Sequence, residues 1–257
     1  MTDVTPSLLS QIAVFVTRGF AIGSLGLMVA CAKPVPSADI NDPFEKENRA
    51  MHAFNVGLDR KLLKPAAENV AGAGTGPASM GLKHFVDNLA GPRDVVNNVL
   101  QMRLGRAVHN GLRFAINTTI GLGGIFDPAT AMGAEAKPTD FGETLYIWGV
   151  GEGHYLELPV LGPSTSRDAL GKVVDIAINP VSLFVKAPES YVLSAAKIAD
   201  AVESRARHAD IIDSVLYDSA DSYVQARLLY LQNRRYELGQ TTSDENTIDV
   251  YEDPYGQ

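Results

Sequence analysis

The chain has 257 residues and a mass of 27.5 kDa, with 46% apolar and 20% charged residues and a formal net charge of −8 from 30 acids against 22 bases. That length supports one large domain or two small ones with a real core; the composition excludes a disordered or mostly transmembrane chain, and the acidic balance disfavours nucleic-acid binding through a general basic surface. A single cysteine, Cys31, excludes an intrachain disulfide and any multi-cysteine zinc or iron–sulfur site.

Residues 1–18 are mixed, and residues 19–30 (GFAIGSLGLMVA) carry no charge. This run is too short for a bilayer span, which wants about 20 apolar residues. A basic Arg18, an apolar run and small residues before Cys31 read as a signal peptide over 1–30. The site Leu27-Met28-Val29-Ala30 followed by Cys31 has the look of a bacterial lipobox, which makes Cys31 a lipidation site. The other reading is a cysteine buried in an N-terminal core helix. Ala32 stands where an aspartate would resemble an inner-membrane retention signal, so passage to an outer membrane is allowed.

Residues 31–43, with Pro34, Pro36 and Pro43, form a tether. Asp42-Pro43 then starts a helix whose stripe is Phe44, Met51, Phe54, Leu58 and Leu62, ended or bent by Pro65. A flexible loop over 72–81 leads to a second helical region, where Gly91-Pro92 predicts a turn or a new start. Leu104, Val108, Leu112 and Ala115 share a face of a third helix, broken at Gly121–Gly124. Over 137–170 the chain is rich in glycine and aromatics. Two strands, 144–150 and 155–160, are predicted there, with a helix over 141–148 as the alternative to the first. Residues 162–168 (GPSTSRD) read as a capped turn, and helical signals return over 169–178 and 188–236. Residues 239–257 hold five acids and no base, an acidic flexible tail. One mostly α domain is therefore expected over 44–238.

The chemistry-bearing patterns are largely missing. There is no dinucleotide or phosphate-binding glycine motif and no G-x-S-x-G elbow. Ser164, Thr165 and Ser166 read as a helix cap, and Asp140 with Glu143 as a capping pair. Asp87 and Asp94 carry no catalytic pattern. The five histidines have no metal-ligand spacing, and His52 reads as part of a solvated helix face. A nucleophile within hydrogen-bond reach of a histidine in a cleft would favour a hydrolase. No catalytic residue, metal or cofactor is assigned.

Several ordered blocks resemble the MlaA/VacJ lipoprotein family. They are DPFEKENR at 42–49, then Phe54-Asn55 and the LDR and LLKP elements; FVDNLAGPRDVVNNVLQ at 85–101; and FAINTTIGLGGIFDP at 114–128. A fourth runs over 140–170, with Asp140-Phe141-Gly142 and Arg167-Asp168, and a fifth over 219–236. The resemblance implies a mostly helical, ring-like or disc-like assembly embedded in one membrane leaflet, with Gly/Pro-rich loops. It implies an outer-membrane lipoprotein on the periplasmic leaflet that removes mislocalised phospholipids through a central channel and maintains lipid asymmetry. The implied partners are phospholipid, a trimeric outer-membrane porin and a periplasmic MlaC-like carrier. The alternatives are a non-transporting envelope or porin scaffold and a lipid hydrolase.

Within that resemblance, Leu122, Ile125 and Phe126 supply a lip at the pore or else pack in an ordinary core. Phe85 and Leu89, with Leu82, Val95 and Val99, bound a lipid path or are plain core. Phe141, Tyr146, Trp148 and Tyr155 form an interfacial belt. Arg93, Arg167 and Lys172 contact lipid phosphates or make structural ion pairs.

Overall fold

A computed structural model describes residues 40–71, 76–181, 185 and 189–240. The leader over 1–30, Cys31, most of the tether and all but the first two residues of the tail lie outside the described residues.

Helix α1 (Glu45–Leu58) begins with Glu45 and Glu47 in its first turn, where the helix dipole favours negative charge. It runs on through a π-helical turn, Asp59–Leu63, into α2 (Lys64–Ala71). Pro65 does not end it: in the π-helical turn just before it the Lys64 N–H reaches back to the Asp59 carbonyl, and this shift of hydrogen-bond register accommodates the proline's missing N–H. Helix α3 (Pro77–Leu100) is continuous through Gly91-Pro92, so the predicted turn there is absent. Gly91 instead permits a close approach: a Cβ at that position would lie 3.3 Å from Phe114 on the next helix. Helix–helix packing thus outweighs the local cost of proline.

Helix α4 (Leu104–Thr119) returns along α3, and α5 (Pro128–Ala131) follows a glycine-rich corner. The segment predicted as a strand over 144–150 is mostly helix, α6 (Phe141–Ile147), because Asp140 caps it by accepting the Glu143 N–H at 2.8 Å. Strand β1 (Tyr155–Leu158) therefore pairs with β2 (Gly162–Thr165), antiparallel, with Tyr155 opposite Thr165. Thr165 then caps α7 (Ser166–Ile178), accepting the Asp168 N–H. Helices α8 (Glu189–Arg207) and α9 (Ala209–Asp213), a second π turn (Ser214–Asp218) and α10 (Ser222–Glu237) complete the described chain. Helix α8 lies on α2 and α3, α6 on α7, and α1 on β1.

The polarity of the faces is reversed from a water-soluble bundle. On α1 and its extension, Phe44, Phe54 and Leu62 are exposed, while Asn48, His52 and Asp59 are buried. On α4, Leu104, Val108, Leu112 and Ala115 face outward, and Ala107, Asn110 and Asn117 inward. Periodicity fixes which residues share a face; it does not say which face meets the core. Two small apolar clusters remain inside, one of Phe141, Leu145 and Val174, the other of Tyr155, Tyr223 and Leu231. Phe141 and Tyr155 therefore do not belong to an exposed aromatic belt: their rings fill these clusters.

The corner between α4 and α5 depends on Gly124, whose φ is +97° and whose added Cβ would sit 2.5 Å from Asn88 Cβ. Gly123 is also left-handed, at +74°, but has open space around it. Replacing Gly124 by Ala is expected to lower stability by about 2 kcal/mol or more, and Gly123→Ala by clearly less. Paired denaturant melts of the two variants check this.

Candidate functional site

Polar side chains join the elements. Asn48 donates from Nδ2 to the Tyr155 carbonyl at 3.1 Å and accepts the Glu157 N–H at 2.9 Å. Asn55, seven residues on and so on the same face, donates to the Leu158 carbonyl at 2.9 Å and accepts the Val160 N–H at 2.8 Å. The two amides bond to the free edge of β1 as a third strand would. Asp42, ahead of α1, accepts from Asn48, Tyr223 and Arg227, which ties the chain's entry to α10. At the far end of α1, Arg205 binds Asp59 through two nitrogens, at 2.9 and 3.1 Å, and also pairs with Asp213.

A second set joins α3, α6 and α7. Asn97 donates to Asp175 at 2.8 Å and accepts from the Thr144 hydroxyl at 2.9 Å, while Gln101 donates to Thr139 and Thr144. Arg234 on α10 grips two carboxylates: Asp140 at 2.7 and 2.9 Å, and Asp168 at 3.1 Å through both Nε and Nη2. Burial works to raise the Asp168 pKa, but Arg234 and Arg167 hold it below its ordinary value. Asp94 goes the other way: burial outweighs its partner Arg93 and lifts the carboxyl to about 6. Asp127 takes bonds from Thr130, Asn117 and Arg113, which overcome burial and hold its carboxyl well below the usual range.

The structure contains a cleft of roughly 450 Å³ between α1 and the segment entering α10. Arg49, His52, Ala53, Val56, Gly57 and Arg60 line one wall, and Leu216, Asp221, Ser222 and Tyr223 the other. His52 is only 6% exposed, so it does not lie on a solvated face: its Nδ1 is 3.3 Å from Glu157 and its Nε2 3.0 Å from the Ser222 hydroxyl. A serine, a histidine and a carboxylate are thus in sequence beside a cleft. The surroundings do not suit acyl transfer. The Asp221 carboxylate, next to Ser222, takes the Tyr223 and Val224 N–H groups that an oxyanion would need. Glu157 is divided among the Tyr155 hydroxyl at 2.6 Å, Asn55 at 3.1 Å and His52. His52 also meets Tyr223 edge to face at 5.7 Å. The trio acts as a clamp joining α1, β1 and α10. Among the described residues, no group of three or more His, Cys, Asp or Glu is placed to hold a metal ion.

The residues singled out from sequence are not brought together in one pocket. Leu122, Ile125 and Phe126 stand exposed at the glycine corner, Leu122 at 65% with a left-handed φ of +53°, so they do not pack in a core there. Phe85 and Leu89 are half-buried on α3. Arg93 is half-buried against Asp94 at 2.8 Å. Arg167 is 3% exposed, pairs with Asp168 at 3.2 Å and lies over the Tyr146 ring. Lys172 is half-buried and donates to the Ser164 hydroxyl at 3.2 Å. The cleft-facing Arg49 and Arg60 were not singled out, although residues 49, 52, 53, 56, 57 and 60 follow one helical face, with small residues at Ala53 and Gly57.

The sequence model of the MlaA lipoprotein family matches residues 40–237. An uncharacterised protein of Rickettsia prowazekii is 34% identical over 191 residues, 74% of each chain. The intermembrane phospholipid transport system lipoprotein MlaA of Shigella flexneri is 34% identical over 216 residues, 82% of this chain and 84% of that one. A solved structure described as the structural basis for maintenance of bacterial outer membrane lipid asymmetry contains a similar chain. It aligns with a TM-score of 0.66 at 31% identity, covering 77% of this chain and 98% of that one.

The raised Asp94 pKa has a definite sign. The folded state holds this proton more tightly than the unfolded chain, so Asp94's contribution to stability falls as pH rises from about 4 through about 6. Asp94→Asn removes the titration, so the variant's melting temperature relative to the parent rises between pH 5 and pH 7.5. Thermal melts at the two pH values measure it.

Proposed function

This chain belongs to the MlaA lipoprotein family, and from that premise we propose that it is an outer-membrane lipoprotein that maintains lipid asymmetry by moving phospholipid without covalent chemistry. The observation that carries this reading is the reversed polarity: large apolar side chains outward, carboxylates, amides and guanidinium groups inward. Exposed apolar surface on this scale suits a lipid environment, and charges turned inward avoid the cost of facing acyl chains. Among the described residues, no helix is long and apolar enough to cross a membrane. A disc seated in one leaflet meets both conditions.

In this reading residues 1–30 are removed, Cys31 carries the acyl anchor, 31–43 tether the domain over 44–238, and 239–257 form an acidic tail. More than one acyl chain makes such anchoring stable, since each buried methylene contributes about 0.8 kcal/mol. Leu122, Ile125 and Phe126 touch lipid at the glycine corner. Phe85 and Leu89 border the path. Arg93 and Lys172 keep part of their surface open for a headgroup, whereas Arg167 positions Asp168. A trimeric porin beside the disc and a soluble periplasmic carrier beneath it complete the route.

The test is mass spectrometry of protein extracted gently from a Gram-negative host. The account expects an acylated N-terminal peptide beginning at Cys31 and co-purifying phospholipid, reduced several-fold by the double variant Leu122→Asp, Phe126→Asp. An unmodified N-terminus together with no bound lipid contradicts it.

A further inference from the structure

We propose that the cleft between α1 and α10 is a binding site for the phosphate-bearing headgroup of a phospholipid, with Arg60 as its anion contact; this rests on the transport reading above and names a subsite for it.

The cleft's volume, roughly 450 Å³, is within the range of small-molecule sites. Its cations differ in availability. Arg49 is already paired with Glu45 at 2.7 Å and Asp221 at 2.9 Å. Arg60 is exposed, its guanidinium 5.1 Å from the centre of the Tyr217 ring, and it makes no ion pair among the described residues. A guanidinium seated on an aromatic face with its edge open is well disposed to bind phosphate oxygens through two N–H groups.

Gly57 supplies a second and independent observation. It sits inside a helix, where glycine costs about 1 kcal/mol relative to alanine. Its φ is not left-handed, and a Cβ there would meet nothing within 4 Å. Neither backbone conformation nor packing calls for it. What its missing side chain does is keep the cleft open, together with Ala53 one turn earlier.

The shape of the lining favours a lipid over a free anion. Arg49 and Arg60 are eleven residues apart on one face, on the order of 16 Å by helical rise. Between them Ala53, Val56 and Gly57 form an apolar floor, faced by Leu216. A phosphate alone would use one end of this groove; an amphiphile uses its length. At the other end the Asp221 carboxylate is paired with Arg49 and the Ser222 hydroxyl is bonded to His52, so the anion contact falls to Arg60 and an acyl chain lies along the floor.

The experiment titrates full-length, detergent-purified protein with dihexanoylphosphatidylglycerol in one arm and inorganic phosphate in the other, by calorimetry. The short-chain lipid is expected to bind at least 100-fold more tightly than phosphate. Arg60→Gln should weaken it about tenfold, Arg60→Lys should restore part of that loss, and Gly57→Phe should abolish binding while leaving the melting temperature at or above the parent's. Equal affinity for phosphate and lipid overturns the headgroup assignment in favour of a plain anion site. Unchanged lipid binding in both Arg60→Gln and Gly57→Phe overturns the cleft as the site. If those variants also keep their co-purified phospholipid, the transport reading stands while this one fails; if the parent binds no phospholipid in either assay, both fail.

Discussion

A chain that sends its large apolar side chains outward must hold its helices together by something other than hydrophobic burial. Here that role falls to side-chain hydrogen bonds and ion pairs between elements far apart in sequence: Asn48 and Asn55 on the edge of β1, Asn97 between Thr144 and Asp175, Arg234 across Asp140 and Asp168, and Arg205 on Asp59. Within a lipid leaflet the exclusion of apolar surface from water no longer drives helices together, and packing and polar contacts take over. Such contacts are costly when half-made and specific when complete. This is why the two internal apolar clusters can be small: they fill space left by a framework whose register is set by directional bonds.

The same framework explains the sequence blocks that carry the family resemblance. Asp42, Asn48, Asn55 and Asp59 in the first block, Asn97 and Gln101 in the second, Asn117 and Asp127 in the third, Asp140 and Asp168 in the fourth, and Arg234 in the last all serve as partners in these bonds. They were legible as a set of motifs but not as an interior. Helix existence was mostly legible too, because apolar spacing and the cap at Thr165 are local; over 141–147 the strand and helix readings competed, and the Asp140 cap belongs to the helix. The sign of each amphipathic face was not, since Phe54 and Leu112 have the same period whether they meet a core or a lipid chain. The Gly91-Pro92 turn failed for a related reason: its local signal was overruled by the approach of Phe114. His52 was misplaced because its partners, Glu157 and Ser222, are 105 and 170 residues away.

Lipid transport then follows from mechanical properties more than from reactive groups. Ion pairs and amide bonds give a stiff interior; the corner at Leu122, Ile125 and Phe126 is exposed, as a lipid-facing edge requires, and the groove under α1 sets Arg60 beside an apolar floor, as the proposed headgroup site requires. The Ser222–His52–Glu157 contact shows how closely a polar clamp can approximate a catalytic arrangement while its environment, above all Asp221 at the helix start, works against one.

The sequence holds a single tryptophan, Trp148, which is 48% exposed and donates its indole N–H to the Leu100 carbonyl at 3.2 Å. It reports directly on what the outward face meets. In proteoliposomes the account predicts strong quenching of its fluorescence by phospholipids brominated along the acyl chain and little quenching by aqueous acrylamide. Efficient acrylamide quenching with no effect of the brominated lipids would place this face in water and contradict the central claim.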